Sequence, residues 1–134
     1  MRLIPIALPL LLLGLAYLLD LPKSLGAHPW WSREVLLYAA VPGLALGWLA
    51  TWAIGRAVAP AVFFASGSLA AWGIAASGKA RFAASFAEDA LAAQAWFFGW
   101  IGTAVLATAA LTATGTVIMR SAARTSAFGD NAKH

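Results

Sequence analysis

The sequence predicts an all-α integral membrane protein, with four transmembrane helices in an antiparallel bundle and an extended outer start to the fourth. Three observations carry this. The run Ala95–Met119, AWFFGWIGTAVLATAALTATGTVIM, holds no charged residue, and as a helix it is about 37 Å long, enough to cross a hydrocarbon core of about 30 Å. Of 134 residues, 62% are hydrophobic and 10% charged, far from the roughly one quarter charged in soluble domains, so water is a poor solvent for the folded surface. The charges also fall between long uncharged runs, as expected of helices whose backbone bonds must close internally in lipid.

The first span is residues 3–19, Leu-rich and uncharged between Arg2 and Asp20, at the short end of what crosses. A signal peptide ending near Leu25-Gly26-Ala27 is its rival, and an uncleaved span is the reading taken. Asp20 to Glu34 then forms the long polar connection. Trp30 and Trp31 within it suit the headgroup layer, where an apolar ring and a polar N–H are both satisfied. His28 has no second ligand nearby in sequence and reads as solvated.

Ser32 is the expected N-cap of a second span over residues 35–55, with Glu34 in its first turn. Pro42 removes a hydrogen bond to the Tyr38 carbonyl and predicts a kink. Gly43 and Gly47 form a GxxxG pair suited to close helix contact. The stretch Gly55–Pro60 is too short to do more than turn, which predicts a hairpin between the second and third spans. The third, residues 57–78, is crowded with small residues, among them Gly67, Ala71 and Gly73, and is expected to be the buried helix of the bundle. Lys79 and Arg81 suit its C-terminal dipole.

Ser85 and Glu88 match the S-x-x-E capping box, which starts the fourth helix near Phe86 and leads into the span 95–119. Glu88 and Asp89 then complement its first-turn dipole. Thr108, Thr112 and Thr116 continue an i, i+4 row from Ala104. They can pack against another helix, bond to the carbonyl one turn back, or line a polar path. Residues 1–119 thus make the transmembrane domain and 120–134 a polar tail with little capacity to fold alone.

Four spans place both ends on one side, with five basic residues there and four on the other, giving an N-in, C-in orientation in a bacterial cytoplasmic (inner) membrane. Trp30, Trp31, Trp96 and Trp100 then gather towards the outer face as interfacial contacts for lipid, quinone or pigment rings. The nine Lys and Arg are scattered rather than gathered into a stripe, which sets nucleic acid aside.

The absence of cysteine removes disulfide and thiolate chemistry. No ionisable side chain falls within the spans, which argues against a self-sufficient pump. No nucleophile elbow, phosphate loop or paired helical histidine occurs, so neither catalysis, a metal nor a cofactor of its own is expected. The expected function is that of a non-catalytic accessory subunit in a larger membrane complex, an energy-transducing complex or a transporter, with larger integral membrane subunits as partners. The alternative is a small homo-oligomeric channel or carrier for a neutral solute, using Thr108, Thr112 and Thr116.

Overall fold

The computed structural model describes residues 2–133, in which helix is the only regular secondary structure. The elements are α1 (Ile4–Leu19), α2 (Leu21–Ser24), α3 (Glu34–Ile54), α4 (Val58–Ala84) and α5 (Ala90–Ala132). Three of them, α3, α4 and α5, are long and apolar enough to cross a membrane. The first is not. With 16 residues, α1 is about 24 Å long and falls short of the hydrocarbon thickness.

The chain leaves α1 through Asp20, whose φ of 49° lies in the left-handed region, and then makes the single turn α2 where a plain loop is expected. Ser32 does not cap α3. Arg33 occupies that position, and the Ser32 hydroxyl instead donates to the Asp20 carboxylate at 2.7 Å, tying the start of α3 to the end of α1. Pro42 lies inside α3 on its exposed face. The helix ends at Gly55, which takes a φ of 71° that a residue with a Cβ adopts less readily.

Two boundaries differ from the sequence reading for one reason. Arg81 lies in the last turn of α4, where it complements the dipole, but the helix passes Gly78 and Lys79 and runs to Ala84 because Ala80, Ala83 and Ala84 are strong helix formers. The stop comes where Phe86 and Ala87 turn left-handed, with φ of 56° and 66°. The capping box is consequently not formed. Asp89 is the N-cap of α5, its carboxylate accepting from the Ala92 N–H at 3.0 Å, while the Ser85 hydroxyl accepts from the Asp89 N–H at 2.9 Å. At the other end, the expected tail continues α5 as helix to Ala132, making it 43 residues and about 65 Å long. Polarity there opposes burial, not helix formation.

The buried helix is α5, not the small-residue third span. Helices α1, α3 and α4 each pack along α5, whereas α3 and α4, though joined by a short turn, barely touch. The expected hairpin is therefore split by α5. Close approach falls at glycines: a Cβ on Gly99 would lie 2.8 Å from the Ala75 nitrogen of α4, and one on Gly115 would lie 2.8 Å from Pro5 Cα of α1. The α1–α3 connection and the α4–α5 turn share one end of the molecule, the loop end. The start of α1, the α3–α4 turn and Arg120 share the other.

Candidate functional site

Because α1 and α4 both lie against α5 and make little or no contact with each other, a cleft of about 600 Å³ opens between them. Leu12, Leu15 and Leu19 form one wall, Leu69 and Trp72 the other, and Trp100 with Ala107 the floor. Its few polar side chains are already occupied. Ser68 donates across to the Thr103 carbonyl at 2.8 Å, Thr103 to the Gly99 carbonyl at 2.7 Å and Thr108 to the Ala104 carbonyl at 2.8 Å. The cleft therefore offers shape and apolar surface, with no free side-chain donor to orient a polar solute. At the loop end, the Trp72 indole donates to the Leu25 carbonyl at 3.1 Å, strapping α4 to the segment after α2.

Beside it at the loop end lies an aromatic cluster. The Trp96 indole is buried and donates to the Gly26 carbonyl at 2.9 Å. Trp31 meets Trp96 and Phe97 edge-on, with ring centroids 5.6 Å and 5.2 Å apart, a favoured aromatic geometry. His28 is not a free loop side chain: its ring contacts Trp30, Trp31 and Trp96 at centroid distances of 5.8, 6.1 and 5.4 Å. The four tryptophans singled out in the sequence thus divide. Trp31 and Trp96 pair, Trp30 stands 87% exposed at the rim, and Trp100 belongs to the cleft floor. His28 escapes sequence reasoning because its neighbour Trp96 comes from a helix far along the chain.

The packing residues also divide. Gly43 and Gly47 sit on α5, where a Cβ on Gly47 would lie 2.7 Å from Thr112 Cβ and from the Ala109 carbonyl oxygen. Gly67 faces Leu106 of α5, with a would-be Cβ 3.2 Å from Leu106 Cδ1, and Ala71 lies opposite Gly102. Gly73 has nothing within 4 Å of a Cβ, so within this chain it packs on no other helix. The row Thr108, Thr112 and Thr116 is buried, and each hydroxyl donates to the carbonyl one turn back at 2.8, 2.9 and 3.1 Å. Thr108 and Thr112 meet the α3 glycines. Gly78, Gly99 and Gly115 pack as tightly and were not legible, since each meets a distant backbone with no spacing motif to mark it.

No known protein family, curated protein or solved structure matches the chain.

Proposed function

We propose that this chain is a non-catalytic, helix-packing subunit of a larger membrane assembly. The observation that carries this reading is a seam on α4. Ser66, Ala70, Gly73, Ser77, Ala80 and Ala84 recur at spacings of four and three, and all are exposed. Lipid-facing surface has no need of small residues, whereas a helix from another chain can approach closely only over them. Gly73, unpartnered within the chain, sits in the middle of the seam.

In this reading all four longer helices span the membrane in alternating directions, the short α1 being accommodated by local thinning of the bilayer. The close approach of Gly115 to Pro5 and the Arg120 guanidinium donating to the Gly55 carbonyl at 3.4 Å support that alternation. Both termini then face the cytoplasm of a bacterial cell. The buried, self-satisfied threonines favour packing over a solute path.

The test is affinity purification of the full chain from its native membrane in mild detergent, followed by mass measurement. A stoichiometric polypeptide partner is expected, and Gly73→Leu with Ser77→Leu should lower its recovery at least tenfold while leaving helix content unchanged. A lone monomer, or a partner indifferent to the seam, overturns the reading.

A further inference from the structure

We propose that the cleft between α1 and α4 is a binding site for one acyl chain of an anionic glycerophospholipid, with its phosphate at Lys23 and Lys79. The inference rests on the membrane placement proposed above, but not on a polypeptide partner.

Depth is the first argument. The cleft floor runs along α5 from Trp100 at the loop end to Leu111, about 16 Å at the helical rise. That is about half a hydrocarbon core of 30 Å, the depth of one leaflet. A chain entering from the loop end reaches the bilayer midplane where the cleft stops. The walls are apolar and their hydroxyls are taken by carbonyls, so methylenes meet no unsatisfied polar group.

Charge at the mouth is the second argument. Lys23 follows Pro22, which lines the cleft, in the one-turn helix α2. Lys79 lies two turns beyond Trp72 on α4, its ammonium 3.7 Å from where a Gly26 Cβ would stand and 6.0 Å from the centroid of the Trp96 ring. Two cations from separate elements therefore stand at the segment 22–26 that Trp72 straps down, Lys23 within it and Lys79 beside Gly26. Asp20, the acidic residue nearest this rim in sequence, is engaged by Ser32 at the start of α3. A headgroup of net negative charge fits this rim, whereas phosphatidylcholine presents the same phosphate beside a quaternary ammonium that the two lysines repel.

The test is native mass spectrometry of the full chain released from nanodiscs holding equal phosphatidylglycerol and phosphatidylcholine. One phosphatidylglycerol retained per chain, in preference to phosphatidylcholine, is expected. Lys23→Gln and Lys79→Gln, both at exposed positions, should each reduce that preference about fivefold. Ala107→Phe, which fills the floor, should reduce retention of both lipids. Retention of no lipid, of a neutral prenyl lipid or of a second copy in place of phospholipid overturns the proposal, as does a preference unmoved by the lysine pair. A chain that keeps its polypeptide partner but no lipid overturns the cleft alone. One that keeps lipid but no partner overturns the subunit reading alone.

Discussion

Gly43 and Gly47 set how closely α3 lies on α5, because the side chains opposite them, Thr108 and Thr112, leave no room for a Cβ. Adding one methyl group forces the helices apart or pushes a threonine off its rotamer. We expect Gly47→Ala to destabilise the protein by about 1–3 kcal/mol, read as denaturant unfolding in detergent micelles. Thr112→Val keeps the shape and loses only a bond back to its own helix, so it should cost less than about 1 kcal/mol. If the threonine change proved the more harmful, the hydroxyl row would be doing something other than packing. The GxxxG pair was visible as spacing, but its partner was not: nothing local in AVLATAALT says that two of these threonines receive glycines from residues 43 and 47.

At the scale of the element, the α4–α5 turn holds two residues with side chains in the left-handed region, Phe86 and Ala87, at about 1 kcal/mol or more each relative to a right-handed backbone. Phe86 is 91% exposed and gains little packing in return. Ala87→Gly should therefore stabilise the chain by about 1 kcal/mol, seen as a higher unfolding midpoint in the same micelles. A lower midpoint would show that Gly's greater freedom in the unfolded chain outweighs the relief of strain. This turn also explains why the boundaries of α4 and α5 were misplaced. Both Ser85 and Asp89 are good caps, the capping box names Ser85, and which of them starts a helix depends on where the backbone reverses. The polar end of α5 is a related case, since composition there reports exposure and says little about helix.

Across the whole molecule, the arrangement makes the two ends chemically distinct. His28, Trp30, Trp31, Trp96 and Lys79 gather in one cluster at the loop end, while Arg120 meets Gly55 at the other. The chain has no cysteine, so single introduced thiols report one site each. In intact cells, Ser24→Cys should react with a membrane-impermeant maleimide and Ser121→Cys should react only after permeabilisation. The opposite labelling pattern would invert the proposed orientation, and equal labelling of both positions would contradict passage through the bilayer.

The all-helical class, the three long apolar helices and the Gly43/Gly47 face were legible in the sequence, because hydropathy, length and residue size are local quantities. It could not determine which helix the others surround. The small residues are densest in α4, which points to that helix as the buried one, but burial depends on where they face. In α5 they face three different helices, while much of the α4 set faces outward. Three things follow only from the tertiary packing: α5 is central, α1 and α4 lie to either side of a gap, and that gap is an apolar cleft of about 600 Å³.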